Sequence, residues 1–169
     1  MKKYCKLFLA MGFVVSFALN LSAEPTNFTT NDFNLSWEIQ ETNLIMTLSA
    51  PTTGWISVGF EPTKMMKNAN ILLFSVDEDG IVLAEDDYGT SIFGHKNDIK
   101  LGGTNNITIL SGSEKNGTTL VSFSIPLSSG DMYDKEFVEG QMVKVLFASA
   151  SKDKFTSKHN KKASGNIQL

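Results

Sequence analysis

Two neighbouring stretches decide the fold class: GWISVGF at residues 54–60 and ANILLFSV at residues 69–76. In the first stretch, Ile56, Val58 and Phe60 occupy every second position, and this period of two is typical of a β-strand. The second stretch is apolar at nearly every position, which indicates a strand that is buried on both faces. Neither stretch has the 3.6-residue period of an amphipathic helix.

The same alternation recurs on both sides of these stretches, and turn residues such as Asn116-Gly117 separate the segments. No convincing helical segment follows the first two dozen residues, and residues 131–141 predict a loop with one helical turn. The sequence therefore predicts about eight or nine strands and an all-β fold, an immunoglobulin-like antiparallel β-sandwich. The further segments with strand alternation are residues 35–39, 44–48, 81–85, 107–109, 121–127 and 143–147.

The N-terminal segment has the pattern of a secretory signal peptide. Three lysines precede a mostly apolar run over residues 7–19, and small residues lead to a plausible cut after Ala23. The run is shorter than the roughly 20 apolar residues of a membrane span, although an uncleaved anchor is the alternative. We therefore predict a signal peptide over residues 1–23 and one exported domain, periplasmic or extracellular and without a membrane span, over residues 24–169.

Composition excludes several classes of function. The chain has 15 lysines, no arginine and 18 acidic residues, and the domain over residues 24–169 keeps 12 lysines against 18 acids, a net charge of −6. Nucleic-acid binding needs a basic face, so the sequence predicts no such partner. The one cysteine, Cys5, lies in the predicted signal peptide. Disulfides, zinc–thiolate sites, iron–sulfur clusters and covalent haem attachment are therefore excluded from the domain.

Few residues suggest chemistry. His95 and His159 are the only histidines, and neither lies in a recognisable hydrolase motif, so we predict that the chain is not an enzyme. The acidic residues at positions 77–79 and 85–87 are interpreted as a solvated hairpin, with calcium binding as the alternative. The lysine-rich segment over residues 152–162 is either a solvated end or a positive field for an anionic group such as haem propionates.

A methionine pair stands in a polar loop between two predicted strands. Met65 and Met66 lie in EPTKMMKN, residues 61–68. Methionine is unusual there unless its thioether or its apolar surface is used. Either the loop folds back onto the core, or one sulfur is a ligand for haem iron or copper.

Together these segments resemble the DOMON domain family, the dopamine β-monooxygenase N-terminal type. The strongest match is TGWISVGFEPT at residues 53–63, followed by MKNANI at residues 66–71. EDDY at residues 85–88 is similar to the acidic-aromatic stretch of the family. His159, followed by GNIQL at residues 165–169, is similar to its closing pattern of a histidine, a glycine and a last strand.

The resemblance implies a cofactor and a ligand pair. In the cytochrome branch of the family, a methionine and a histidine at these places ligate b-type haem. Met66 lies three residues before Ala69, as the family pattern requires, and Met65 is the alternative. The resemblance therefore implies non-covalent haem b with Met66 and His159 as axial ligands of the metal. Members of this branch often carry an arginine near the histidine, and here only Lys161 and Lys162 stand there, beside the expected propionates.

Two functions follow from this resemblance. The first is an exported electron-transfer module whose partner is a redox protein. The alternative is a haem-free module that binds carbohydrate or protein, because many DOMON domains carry no haem. Exposed aromatic rings would serve a sugar ligand, and Tyr88, Phe93 and Tyr133 are the candidates, whereas Trp37 and Trp55 are expected in the core.

Overall fold

The computed structural model describes residues 26–169, so the predicted signal peptide lies outside the described residues. This part of the chain is built almost wholly of strands, with one 3-10 helix at Asp98–Leu101. The eleven strands are β1 (Thr26–Thr30), β2 (Phe33–Gln40), β3 (Asn43–Ala50), β4 (Ile56–Phe60), β5 (Asn70–Val76), β6 (Val82–Ser91), β7 (Gly94–Asn97), β8 (Thr108–Lys115), β9 (Thr118–Pro126), β10 (Met142–Ser149) and β11 (Lys161–Gln168).

The strands form two antiparallel sheets. One has five strands in the order β1-β2-β3-β9-β8, and the other has six in the order β11-β10-β4-β5-β6-β7. Every pairing within them is antiparallel. The predicted all-β sandwich is therefore confirmed. Among residues 26–169, no helix is long and apolar enough to cross a membrane.

The main core lies between the two sheets. Inward positions alternate along each strand, so that Leu44, Met46 and Leu48 of β3 are fully buried while their neighbours are half-buried. Aromatic rings from opposite sheets meet in the centre, where the centroids of Phe74 and Phe123 are 4.5 Å apart. Burial of these side chains supplies the main stabilising free energy, because the domain has no cysteine for disulfides.

Some local predictions were wrong. The alternation pattern missed β1 and β7, which are short edge strands with mostly polar residues. Residues 131–141 contain no helix, and the helical turn lies instead at Asp98–Leu101. The loop over residues 131–141 closes one end of the sandwich, since Phe137 is buried with its ring centroid 5.3 Å from that of Phe60.

Strand β5 is buried on both faces, as its continuous apolar run predicts. All seven residues from Asn70 to Val76 are buried. Leu72 and Phe74 face the main core, whereas Ile71 and Leu73 belong to a second apolar cluster. Because alternate residues of a strand point to opposite faces, this second cluster lies on the outer face of the six-stranded sheet.

Candidate functional site

The second apolar cluster, which we name the outer-face cluster, is the structural base of the candidate site. Strands β5 and β10 contribute outward-facing side chains, and the residue before β4 and the chain before β5 and after β10 contribute the rest. The neighbouring outward positions on β4 and β10 are Ser57, Gly59 and Ala148, which are small, and Leu146, which pairs with Gly59. The buried members of the cluster are Trp55, Ala69, Ile71, Leu73 and Ala150, and the partly buried members are Met66, Ala148 and Phe155.

Met66 packs on this cluster, whereas Met65 does not. Met66 is half-buried, and Met65 is 46% exposed with a positive φ of 51°. The turn is fixed by backbone hydrogen bonds, because the Ala69 N–H donates to the Met66 carbonyl at 3.1 Å and the Asn68 N–H donates to the Gly89 carbonyl at 2.7 Å. Of the two predicted alternatives, Met66 is therefore the thioether directed at the apolar face.

The segment over residues 151–160, which contains His159, packs on the same face. Within this segment, Phe155 packs on the outer-face cluster, and the Ser157 hydroxyl accepts a hydrogen bond of 3.0 Å from the Trp55 indole nitrogen. The segment ends where the Asn160 N–H donates to the Ser149 carbonyl at 3.0 Å. These contacts hold the segment across the outer face, and His159 within it is half-buried.

The surroundings of His159 disfavour the charged form of its imidazole. Burial first, and then the positive charges of Lys162 and Lys158, lower the pKa of its imidazole below the ordinary value of 6.5. A smaller lowering comes from His95. Only a neutral imidazole has a free lone pair, so these surroundings favour the form of His159 that can ligate a metal.

Met66 and His159 approach the outer face from opposite ends of β4. The loop with Met66 follows Phe60, the last residue of β4. His159 precedes β11, whose first residue pairs with Ser149, and Ser149 pairs with Ile56 at the start of β4. The predicted meeting of two loops at one end of the sandwich is therefore wrong. What they share is the outer face, onto which both segments fold back.

The two predicted lysines have different surroundings. Lys162 pairs with Ala148, so it lies on the outer face of β11, and its charge acts on His159. Lys161 points the other way and forms an exposed ion pair of 2.7 Å with Asp32. Of the two, only Lys162 stands beside the candidate site.

His95 lies on the same face, but its imidazole already has a partner. Its Nδ1 is 2.5 Å from Oδ2 of Asp87, which is buried. Asp87 pairs with Ile71 across β5 and β6 and therefore points outward. This pair was not predicted from the sequence, because the alternation pattern did not reveal β7, the strand that carries His95.

The predicted sugar-binding aromatic residues are mostly engaged within the fold. Tyr88 and Tyr133 are half-buried with ring centroids 5.3 Å apart. The Tyr88 hydroxyl donates to the Asn68 side-chain oxygen, and the Tyr133 hydroxyl donates to the Leu101 carbonyl. Phe93 is 74% exposed. Trp37 and Trp55 are buried as predicted, although Trp55 belongs to the outer-face cluster rather than to the main core.

The acidic residues of the β5–β6 hairpin, predicted to be solvated together, differ in their burial. The turn at residues 77–79 is exposed, as predicted, but Asp86 and Asp87 are buried. Asp86 joins Asp98 and Asp134, which are distant from it in sequence, in a close group of carboxylates. The burial of Asp86 could have been predicted from the alternation of β6, which places it on the same inner face as Ala84.

Comparison with known proteins agrees with this architecture. The family model described as "DOMON domain" matches residues 29–150. The cytochrome domain of cellobiose dehydrogenase from Myriococcum thermophilum has a similar fold, with a TM-score of 0.64 at 14% sequence identity, over 86% of this chain and 88% of that domain. At this identity the structural likeness establishes the fold alone. The family match spans most of the chain, and the protein therefore belongs to the DOMON domain family.

Proposed function

We propose that the protein is an exported electron-transfer module that binds b-type haem non-covalently, with Met66 and His159 as the axial ligands. The observation that carries this proposal is that Met66 packs on the outer-face cluster, and that the segment with the half-buried His159 packs on the same cluster through Phe155. Bound haem would supply reversible one-electron redox chemistry at its iron. Two axial protein ligands leave no open coordination position, so the module is proposed to pass electrons to a redox protein and not to act as an enzyme.

The composition of the outer face suits an apolar macrocycle. Ser57, Gly59 and Ala148 are small outward positions next to Leu146, and Ile71 and Leu73 are apolar neighbours. Lys158 and Lys162 act on His159 and can offset the negative charge of propionates. The similar solved structure is itself a cytochrome domain, which supports the same assignment.

Access to this face depends on the segments that cover it. Ser57 and Ile71 point outward and are nevertheless only 5% and 6% exposed. The loop with Met66 and the segment with Phe155 both pack over this face. We therefore expect haem uptake to separate these two segments, with Met66 on one side of the ring and His159 on the other.

The alternative is a haem-free module that binds carbohydrate or protein. The observation that favours it is the exposed ring of Phe93, beside the turn between β6 and β7. Tyr88 and Tyr133 are less suited to a sugar platform, because their rings and hydroxyls already have partners. We therefore rank this function second.

Titration with haem separates the two functions. We expect the purified protein to take up one haem per chain and to develop the visible absorption spectrum of low-spin, six-coordinate iron. The reduced protein should show sharp α and β bands, as expected for a thioether–imidazole pair. No uptake of haem, or a high-spin spectrum, would contradict the proposal and leave the haem-free module.

The low pKa of His159 predicts how haem ligation depends on pH. Because burial and the charges of Lys162 and Lys158 lower this pKa, protonation should compete with the iron only at pH values below 6.5. We expect the low-spin spectrum to persist as the pH falls through 6.5 and to disappear in more acid solution. Absorption spectra recorded during a pH titration measure this midpoint.

Removal of a neighbouring charge supplies the control. In Lys162→Gln the pKa of His159 should rise, so the low-spin spectrum should disappear at a higher pH than in the parent. Lys115→Gln, at the far end of β8 in the other sheet, should leave the midpoint unchanged. Equal midpoints in Lys162→Gln and the parent would show that Lys162 is not close to the ligand.

Export is a separate prediction, and it concerns residues outside the described part of the chain. The lysines, the apolar run over residues 7–19 and the small residues before Glu24 predict cleavage after Ala23. Sequencing of the N-terminus of the exported protein should begin at or near Glu24. Recovery of an exported protein that still begins with Met1 would refute cleavage and indicate an uncleaved anchor.

A further inference from the structure

A group of buried carboxylates lies on the inner side of the six-stranded sheet, away from the proposed haem face. Asp86 of β6, Asp98 of the 3-10 helix and Asp134 of the loop over residues 131–141 each offer an oxygen, and these oxygens lie within 4.8 Å of one another. Asp98 is fully buried, and Asp86 is 1% exposed. Ligands on opposite sides of one Ca²⁺ are separated by about twice the bond length, or about 5 Å.

Several oxygens in this group have no hydrogen-bond partner among residues 26–169. They are Oδ1 of Asp86, both carboxylate oxygens of Asp98 and Oδ1 of Asn70, which is also buried. The Asn70 amide belongs to the same group, because its nitrogen donates to Asp134 at 2.8 Å. Buried polar atoms are normally paired, so four acceptor oxygens in one place indicate a missing cation.

No positive side chain neutralises these carboxylates within the described part of the chain. The ion pairs recorded there are His95–Asp87 and Lys161–Asp32. The other oxygens of Asp86 and Asp134 accept hydrogen bonds from the backbone and side-chain amides of Asn106 and from Asn70. Amide donors orient a carboxylate but leave its negative charge in place.

The buried positions of these carboxyl groups oppose their ionisation when no cation is bound. Burial, together with the neighbouring charges of Asp86 and Asp134, raises the pKa of Asp98 to about 8. Burial also raises the pKa of Asp86 to about 7, although the hydrogen bond from the Asn106 backbone opposes this. A bound cation would remove this penalty by stabilising the ionised forms.

We propose that Asp86, Asp98 and Asp134, with the side-chain oxygen of Asn70, bind one Ca²⁺ ion. Carboxylate and amide oxygens are the ligands that Ca²⁺ prefers, and a site made wholly of protein groups suits Ca²⁺ better than Mg²⁺, which retains several of its waters. The ion would join β5 and β6 to the 3-10 helix and to the loop that closes this end of the sandwich. It therefore stabilises the fold beneath strands β6 and β7, which carry Asp87 and His95.

Thermal unfolding of the chelator-treated protein tests the site. We expect Ca²⁺ at about 10⁻³ M to raise the melting temperature by about 3 °C or more, and Mg²⁺ to raise it much less. Isothermal titration calorimetry should give one Ca²⁺ per chain. A melting temperature that is the same with and without Ca²⁺, together with no heat of binding, would overturn the proposal.

Variants distinguish a cation site from carboxyl groups that simply share protons. Without Ca²⁺, Asp98→Asn should melt at the same temperature as the parent or higher, because it removes a buried charge, and Ca²⁺ should no longer shift it. Asp86→Asn should also lose the shift. Asp79→Asn, in the exposed hairpin turn, is the matched control and should keep it. Retention of the shift in both Asp98→Asn and Asp86→Asn would overturn the assignment.

Terbium luminescence gives a second measurement that needs no variant. Tb³⁺ takes the same oxygen ligands as Ca²⁺, and the Tyr133 ring is adjacent in sequence to Asp134 and packs on Tyr88. Excitation of tyrosine should therefore produce Tb³⁺ emission, and added Ca²⁺ should abolish it. Emission that Ca²⁺ does not reduce would place the Tb³⁺ elsewhere and count against the site.

Discussion

Replacing His159 by alanine is expected to abolish the low-spin spectrum of the haem-loaded protein and to weaken haem binding by at least ~100-fold. The estimate is a lower bound, because even loss of an outer partner of a metal ligand commonly costs 10–100-fold in affinity. The substitution removes a half-buried ring from the segment over residues 151–160 and leaves the sheet intact. Absorption spectra and haem titrations of the variant, compared with the parent, measure both effects.

Three further variants make this result specific. Met66→Ala should also lose the low-spin spectrum, whereas Met65→Ala should keep it because Met65 is exposed. His95→Ala should keep it too, since the imidazole of His95 is held by Asp87. A low-spin spectrum that survives in both His159→Ala and Met66→Ala would refute the ligand pair. Loss only in His95→Ala or Met65→Ala would move the ligand to that residue.

Replacing Gly89 by alanine is expected to destabilise the protein by about 3 kcal/mol, the upper range for overpacking of a well-packed site. A Cβ atom at Gly89 would overlap the backbone carbonyl of Met66 and press on the Ala69 nitrogen. Backbone atoms cannot rotate away as a side chain can, and the same turn is fixed by hydrogen bonds between Gly89 and residues 68 and 69. Thermal or denaturant unfolding measures the loss.

Gly94→Ala is the matched control, because Gly94 is also a strand glycine of this sheet and its new Cβ would meet only the flexible Ser91 hydroxyl, at 3.1 Å. We expect this variant to lose less than about 1 kcal/mol. Gly89→Ala should also bind haem more weakly, since the clash displaces the turn that holds Met66. Equal stability of Gly89→Ala and Gly94→Ala would mean that the turn is not packed against β6 as described.

Alternation along the chain was enough to predict the architecture. Where apolar residues alternate along a strand, its sequence indicates which face is buried. The continuous apolar run of β5 indicated that both of its faces are covered. The motif at residues 53–71 was enough to predict the family. The edge strands β1 and β7 were not predicted, because an exposed edge strand does not need alternating apolar residues.

Sequence by itself determined the fold class, the family and the two residues, Met66 and His159, that we propose as ligands. Only the tertiary structure decided that the two segments containing these residues pack on the same face of the sheet, because that depends on how two loops from opposite ends of β4 fold back over it. It also decided that Met66 rather than Met65 meets the apolar cluster. The cluster of the carboxylates of Asp86, Asp98 and Asp134 could not be predicted from the sequence, for the same physical reason. Contacts between residues far apart in sequence are set by packing, and no local sequence period indicates them.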